Sequence, residues 1–223
     1  MNHELLTSIR RFGATASGSI LTVAPEARLH AAGELVDAGA FIHADVLDDS
    51  FPMKHGVSAE LLAALSERWA DRLDVHVMAE NSTAATTLPL GRTIARLTVH
   101  VHEGEAGGIR DLLGDAADQL WLSIDPRTWS SADAVSTLID EERPDGILMM
   151  LTSPGVPDLS ADAMIMRSTP WRAARERVPL GVDGGVRADL LASIVDAGAD
   201  YVVVGRSLFP QPSRSHPLRE DKP

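Results

Sequence analysis

Three short segments of the sequence carry side chains that can bind a metal ion or move a proton. His43 and Asp45 are two residues apart, as are Asp74 and His76, and residues with this spacing on a β-strand point to the same side. Asp183 follows a short apolar segment and precedes two glycines. The two imidazoles, together with the carboxylates of Asp45 and Asp183, form a set that suits Zn, Fe, Mn or Co and leaves positions for a substrate.

A second pair of histidines has equally suitable spacing. His100 and His102 are also two residues apart, and Glu103 follows them. A histidine at a strand end also serves as an ordinary hydrogen-bonding residue. Spacing alone therefore does not choose between the two histidine pairs. The chain has no cysteine, so disulfide bonds, thiolate nucleophiles and sulfur-ligated zinc are excluded.

Short apolar or β-branched segments alternate with helical patterns along nearly the whole chain. This alternation is typical of a parallel sheet built from repeated strand–helix units, whose buried strands appear as continuous apolar segments. The candidate strands are Ser19 to Val23, Phe41 to Val46, Leu73 to Met78, Ile94 to Val99, Leu120 to Ile124, Gly146 to Leu151, Leu180 to Val182 and Tyr201 to Val204. Eight such strands predict a closed barrel, which gathers loops and active groups at one face.

Local signals also predict where helices begin and end. Ser58 can cap a helix whose apolar residues recur at helical spacing, and Ser131 or Asp133 can open another. The pentapeptide VDAGA occurs twice, each time between a helical pattern and a candidate strand. Its glycine, Gly39 or Gly198, stands where a left-handed helix end is needed. The repeat supports a barrel of repeated units.

The composition is that of an ordinary globular domain. Of the 223 residues, 44% are hydrophobic and 23% are charged, and no apolar run approaches the roughly 20 residues that cross a bilayer. The formal net charge of −12 repels phosphate backbones. The N-terminal segment lacks the apolar stretch of a secretory signal. We therefore expect a cytoplasmic protein that binds a small molecule and neither nucleic acid nor membrane. Barrels of this size commonly associate, so we also expect a homo-oligomer.

Six ordered segments of the chain carry a more specific signal. They are HADVLDDSF, DVHVM, SIDPRT, MLTSPG, GVDGGV and DAGADYVVVGRSLF, and with the string GSILT they extend the correspondence from Ser19 to Phe209. In order and spacing they resemble the ribulose-phosphate 3-epimerase family. The resemblance implies an α/β fold, a single (β/α)8 TIM barrel of the ribulose-phosphate-binding type. We expect the barrel to occupy residues 1–209, and residues 210–223, which are rich in proline, to form an extended or disordered tail.

The same resemblance implies a ketose phosphate substrate and one divalent metal ion. Carried over position by position, the metal ligands are His43, Asp45, His76 and Asp183, and Asp45 and Asp183 are also the catalytic acid–base pair. Inverting the carbon beside a ketone removes its proton from one face and returns a proton to the other, so two groups must flank the planar enediolate. A divalent cation stabilises the negative charge that develops on the substrate oxygens.

The resemblance further implies a set of residues that contact the substrate. They are Ser19, Met78, Met150, Gly155, Gly184, Gly185 and Gly205. Arg206 replaces a small residue of the family and is added to the set because its guanidinium can make a charged, bidentate contact. Gly184-Gly185 and Gly205-Arg206 are the expected phosphate contacts, the second pair through amides at the start of a short helix. The family's glycine-rich phosphate loop is altered in this chain, because Pro157 and Asp158 replace two glycines. A proline lacks the amide hydrogen that binds an anion, and an aspartate repels one.

The sequence leaves three functions open. A 3-epimerase that interconverts D-ribulose 5-phosphate and D-xylulose 5-phosphate is the default. The altered loop can admit a longer substrate, which makes the pair D-fructose 6-phosphate and D-allulose 6-phosphate the nearest alternative. The third possible function is that of a barrel that binds a sugar phosphate without catalysing a reaction.

Overall fold

Eight parallel strands close into a barrel in the computed structural model, which describes residues 1–48, 56–105, 107–153 and 160–210. Each strand pairs with the next along the chain, and the last pairs with the first. The strands are β1 (Thr15–Ser19), β2 (Phe41–Leu47), β3 (Leu73–Met78), β4 (Ile94–His100), β5 (Ala117–Ile124), β6 (Gly146–Met150), β7 (Leu180–Asp183) and β8 (Tyr201–Val204). The predicted (β/α)8 TIM barrel is confirmed.

Helices surround the barrel and connect its strands. The α-helices of the described residues are α1 (His3–Arg11), α2 (Arg28–Asp37), α3 (Ala59–Trp69), α4 (Ile109–Leu113), α5 (Ala132–Glu142), α6 (Thr169–Arg175) and α7 (Leu191–Asp196). A 3₁₀ helix, Ser82–Thr87, stands between β3 and β4 in place of an α-helix. Within the part of the chain that the structure describes, no helix has the length and apolar character needed to cross a bilayer.

The strands separate two apolar regions, and β8 illustrates how. Val202 and Val204 pack in the large cluster between barrel and helices, which also contains Leu35 and Trp171. Tyr201 and its neighbours Trp121, Leu148 and Val203 form a smaller cluster. Because successive strand residues point to opposite faces, this alternation puts the smaller cluster inside the barrel. Both faces of the sheet are therefore buried, which explains the continuous apolar strings in the sequence.

The first strand lies earlier in the chain than predicted. The apolar run Ser19 to Val23 was the expected strand, but β1 ends at Ser19 and Ile20–Thr22 form a 3₁₀ helix. A Cβ added at Gly18 would lie 2.3 Å from Leu35 Cδ2 of α2 and 2.9 Å from Leu208 Cδ2. The strand is built from small residues because large neighbours pack directly on its backbone, so an apolar pattern does not reveal it.

The predicted helix signals are confirmed in detail. The Ser58 hydroxyl accepts a hydrogen bond from Leu61 N at 3.2 Å at the start of α3, and Ser131 caps α5 in the same way. Gly39 and Gly198 have φ values of 73° and 97°, in the left-handed region that favours glycine. Each glycine ends the helical segment that leads into the next strand. The predicted tail beyond residue 210 lies outside the described residues.

Candidate metal centre

Three strands bring four of the predicted residues together inside one end of the barrel. His43 and Asp45 lie on β2, His76 lies on β3, and Asp183 is the last residue of β7. Asp45 and His76 are register partners on adjacent parallel strands. One donor atom from each of the four side chains lies within 4.8 Å of the donor atoms of the others. A single cation can reach all four.

Each carboxylate of this cluster approaches both imidazoles. Asp45 Oδ1 lies 3.1 Å from His43 Nε2 and 3.5 Å from His76 Nδ1. Asp183 Oδ2 lies 3.7 Å from His43 Nε2 and 3.6 Å from His76 Nδ1. The two histidine side chains are fully buried, whereas 15% of the Asp183 side chain is exposed. Asp183 is therefore the member of the cluster closest to the open end of the barrel.

The donors of this cluster fit a divalent transition metal. Both ring nitrogens of His76 are buried and have no hydrogen-bond partner within the described part of the chain. The nearest carboxylate oxygens, 3.5 Å and 3.6 Å from Nδ1, are at the limit of hydrogen-bond range. Burying a polar nitrogen without a hydrogen-bond partner is costly, and a neutral imidazole nitrogen readily donates its lone pair to a metal ion. Two nitrogen and two oxygen donors match zinc and related metals.

The electrostatics of the cluster favour a bound cation. Burial by itself raises the pKa of Asp45, but His43 and His76 outweigh this effect and bring the pKa well below its usual range. Burial lowers the pKa of His43, whereas the Asp45 and Asp74 carboxylates raise it, and the net pKa lies well above its usual range. The pKa of His76 is also raised, because Asp183 and Asp45 outweigh burial. The Asp45 carboxylate thus stays ionised, and a metal ion competes with protons for the imidazoles.

Asp74 lies outside the ligand cluster, although the sequence places it in one of the three candidate segments. Its Oδ2 is 2.7 Å from His43 Nδ1, on the side of the ring opposite to Asp45. The Tyr201 hydroxyl donates to the same oxygen at 2.6 Å. In the sequence, Asp74 stands two residues before His76. Only the register of β2 and β3 puts its side chain beside His43.

Ser19 contacts the ligand cluster directly. Its hydroxyl donates to Asp45 Oδ2 at 2.8 Å, so the other oxygen of that carboxylate, Oδ1, is the one that faces the imidazoles. Met78 is the last residue of β3 and Met150 is the last residue of β6, and both are 3% exposed. Met150 is the register partner of Asp183. Gly155, another expected substrate contact, lies outside the described residues.

The expected phosphate glycines follow β7 and β8. Gly184 and Gly185 have φ values of 101° and 66°, and a Cβ added at Gly184 would lie 2.3 Å from Thr152 Oγ1. Gly205 and Arg206 belong to a single turn, in which Leu208 N and Phe209 N both donate to the Gly205 carbonyl, and this turn does not continue into the predicted short helix. Arg206 is exposed.

The second histidine pair takes no part in the four-residue cluster. His100 Nδ1 lies 3.2 Å from Ser123 Oγ, and the rings of His100 and His102 are 5.2 Å apart. Burial, with smaller contributions from His76 and His102, lowers the pKa of His100 to about 3. His100 is therefore a buried, neutral imidazole at the end of β4. Among the described residues, the metal cluster contains only the first histidine pair.

Comparison with known proteins identifies the family to which the chain belongs. The sequence model of the Ribulose-phosphate 3 epimerase family matches residues 15–209 of the chain. A ribulose-phosphate 3-epimerase of Aquifex aeolicus (strain VF5) is 26% identical over 179 residues, which cover 75% of this chain and 77% of the relative. The ribulose-phosphate 3-epimerase, cytoplasmic isoform, of Oryza sativa subsp. japonica is 25% identical over 184 residues, which cover 80% and 79%.

Solved structures share the fold at much lower identity. The phosphoribosyl anthranilate isomerase from Thermus thermophilus superposes with a TM-score of 0.58 at 12% identity, over 86% of this chain and 88% of that structure. At this identity the likeness concerns the barrel alone.

Proposed function

The chain belongs to the ribulose-phosphate 3-epimerase family, a family of isomerases, and on this basis we propose that it inverts C3 of a ketose phosphate with the help of one divalent metal ion. The default substrates are D-ribulose 5-phosphate and D-xylulose 5-phosphate, since the curated relatives are named for the first of these ketoses. We place this reaction in the cytoplasm.

One observation carries the proposal. Asp45 and Asp183 both reach the same two imidazoles, yet they come from strands that are separated by β1 and β8 in the barrel. The two carboxylates therefore approach the cluster from different directions. Epimerisation needs two proton-transfer groups that act on opposite faces of the substrate, and this arrangement supports the assignment of Asp45 and Asp183 to those roles.

Each residue of the site has a specific task in this proposal. Asp45 and Asp183 remove and return the C3 proton, and their roles exchange when the other epimer is the substrate. Ser19 holds Asp45 in place through its 2.8 Å hydrogen bond. His43 and His76 complete the ligand set for the cation, which supplies Lewis-acid stabilisation of negative charge on the substrate oxygens when it is bound.

The remaining residues are proposed to bind and cover the substrate. Met78 and Met150 are apolar neighbours of the cluster, and both are buried. The phosphate is assigned to Gly184 and Gly185, which follow the proton-transfer residue Asp183, together with Gly205 and Arg206. Arg206 adds a positive charge to a chain whose net charge is −12, and a guanidinium binds phosphate in bidentate geometry.

The proposal is tested by proton NMR in deuterated water with D-ribulose 5-phosphate and a divalent metal. We expect the C3 proton to exchange for deuterium and the xylulose epimer to form. Asp45→Asn and Asp183→Asn should each slow the exchange by roughly 10²- to 10⁴-fold, because each removes one partner of the acid–base pair.

Asp140→Asn is the matched control for these variants. Asp140 pairs with Arg177 on the outer surface of the protein, so the same chemical change there should leave the exchange rate unaltered. The same measurement with D-fructose 6-phosphate tests the longer substrate. If neither ketose phosphate exchanges its C3 proton, the catalytic proposal is wrong, and a barrel that only binds sugar phosphate takes its place.

A further inference from the structure

A layer of polar and aromatic side chains lies inside the barrel beneath the candidate metal centre. Asp74 is fully buried, and its Oδ2 is in contact with two groups, the Tyr201 hydroxyl at 2.6 Å and His43 Nδ1 at 2.7 Å. Its other oxygen accepts a weaker hydrogen bond from Thr98 Oγ1 at 3.3 Å. A buried carboxylate with this many partners has its position and orientation fixed.

A buried cation belongs to the same layer. Arg96 is the register partner of Asp74 on the neighbouring strand, and it is 7% exposed. Its guanidinium carbon lies 3.9 Å from the centre of the Tyr201 ring and 4.2 Å from the centre of the Trp121 ring. It also donates to Gln119 Oε1 at 2.9 Å. Arg96 supplies the positive charge that a buried Asp74 carboxylate needs, and the two aromatic rings hold it there.

These contacts determine which nitrogen of His43 faces the ligand cluster. An ionised carboxylate only accepts hydrogen bonds, so His43 donates to Asp74 through Nδ1–H, and the Tyr201 hydroxyl likewise donates. The opposite nitrogen, Nε2, then lies 3.1 Å from Asp45 and 3.7 Å from Asp183. The tautomer that donates through Nδ1 leaves a lone pair on Nε2, which is the form that binds a metal.

We propose that Tyr201 is a positioning residue for the metal centre: its hydroxyl fixes Asp74, and Asp74 fixes the His43 ring so that Nε2 faces the other ligands. The inference rests on the proposed function, because it assumes that the cluster binds a cation. It adds two residues to the surroundings of His43 on β2, namely Asp74 on β3 and Tyr201 on β8. Groups that orient metal ligands in this way change metal affinity by about 10- to 100-fold when they are removed.

The Tyr201 side chain also packs inside the barrel, so the test must separate its hydroxyl from its ring. Its ring centre is 5.5 Å from that of Trp121 and 6.1 Å from that of Phe41. Tyr201→Phe keeps the ring and removes only the hydroxyl. Trp121→Phe is the matched control, because it keeps an aromatic ring beside Arg96, and the group it removes, the buried Nε1–H, has no partner in the described part of the chain.

The experiment measures the dissociation constant for Co²⁺ by competition with a chromophoric chelator, together with the visible absorption spectrum of the bound ion and the Tm of the metal-free protein. We expect Tyr201→Phe to weaken Co²⁺ binding by about 10-fold and to change the spectrum, as loss of an outer partner of a ligand does. Trp121→Phe should lower the Tm of the metal-free protein but leave both the Co²⁺ affinity and the spectrum as in the wild type.

Each alternative outcome has a definite meaning. If Tyr201→Phe binds Co²⁺ as tightly as the wild type with the same spectrum, the positioning role is wrong and the proposed function stands. If Trp121→Phe weakens binding as much as Tyr201→Phe does, packing of the layer explains the effect and the inference is overturned. A wild-type protein that binds no divalent metal overturns the proposed metal centre, and the inference with it.

Discussion

The hydrogen bond from Ser19 divides the two oxygens of Asp45 between two tasks. Oδ2 accepts the Ser19 hydroxyl at 2.8 Å, and Oδ1 lies 3.1 Å from His43 Nε2. A carboxylate held at one oxygen cannot rotate freely, so the other oxygen keeps its direction toward the imidazoles. Ser19 was expected to contact the substrate, and the structure adds a contact with the carboxylate that we propose as a proton-transfer group.

Ser19→Ala should slow C3 proton exchange by about 10-fold, because a hydrogen bond to a charged group contributes about 1.5–3 kcal/mol and here it orients the reacting carboxylate. The rate is measured by proton NMR in deuterated water with D-ribulose 5-phosphate. Ser136→Ala on α5 makes the same change outside the barrel and should have no effect. An exchange rate that is equal in Ser19→Ala and wild type would contradict the positioning of Asp45 by Ser19.

His100 contributes to the acid sensitivity of the fold rather than to the ligand cluster. Burial lowers its folded-state pKa from the usual value of 6.5 to about 3, with smaller contributions from His76 and His102. As the pH falls below about 6.5, the unfolded chain binds a proton at this residue and the folded chain does not, so the folded state loses stability. The loss continues until the pH reaches the folded-state pKa.

The free energy of unfolding should therefore fall more steeply with acid in the wild type than in His100→Gln. Between pH 7 and pH 5 we expect an excess loss of about 2 kcal/mol, since each pKa unit corresponds to about 1.4 kcal/mol. Urea unfolding in the presence of a chelator measures this loss, and the variant differs from the wild type at this one residue. Parallel pH dependences in the two proteins would show that His100 is not buried in its neutral form.

At the scale of elements, the pairing of β2 with β3 builds two layers at once. Asp45 is opposite His76, and one step deeper His43 is opposite Asp74. All four side chains point into the barrel, because residues two apart on a strand share a face. A shift of one residue in this register would turn the ligands toward the helices. The position of the ligand cluster is therefore a consequence of strand register.

The packing of β1 against its neighbours depends on one residue, Gly18. Gly18 lies beneath Leu35 of α2 and Leu208, and a Cβ at this position would lie within 3 Å of both side chains. A closely packed core has no room for such an addition without movement of its neighbours. This contact connects β1, which carries Ser19, to the helix that follows it.

Gly18→Ala should lower the free energy of unfolding by about 1–3 kcal/mol through overpacking. Gly33→Ala is the control on α2, where the added Cβ would meet Trp69 at an ordinary contact distance of 3.6 Å. In a helix interior this control should be neutral or stabilising by up to about 1 kcal/mol. Urea unfolding compares the three proteins, and equal stability of Gly18→Ala and wild type would show that α2 can move away from β1.

For the whole molecule, the candidate metal centre connects strands that are distant along the chain. Its ligands lie at positions 43, 45, 76 and 183, on β2, β3 and β7. A bound cation would join these strands in the folded barrel, while the unfolded chain has no preformed site for it. Any ligand that binds the folded state alone stabilises that state by mass action.

Saturation with Zn²⁺ or Co²⁺ should raise the Tm, by an amount that corresponds to about 2.7 kcal/mol when the free metal is 100 times its dissociation constant. Thermal unfolding with metal and with a chelator measures the difference. Asp183→Asn should lose most of this gain, and His102→Asn, which changes a residue outside the cluster, should keep it. A Tm that does not respond to any of the expected metals would contradict the proposed centre.

Much of this architecture is readable from local pattern. The alternation of apolar segments and helices predicted the barrel, and serine caps and positive-φ glycines predicted helix ends, because these signals depend on neighbours within one or two turns. The prediction was wrong for β1, since its small residues reflect packing by α2 and Leu208 that no local pattern records. The spacing of His43 and Asp45 also predicted that these two side chains share one face of a strand.

Local pattern did not settle which polar residues meet. His100 and His102 have the same two-residue spacing as His43 and Asp45, and it was the resemblance, not the spacing, that favoured His43 and His76. In the fold these two lie with Asp183, whereas His100 lies beside Ser123. Tyr201 on β8 contacts both Asp74 on β3 and Arg96 on β4, and these contacts exist only because the barrel is closed. Strand periodicity fixes the face of a side chain, but its partners inside a barrel depend on register and closure, which are properties of the whole sheet.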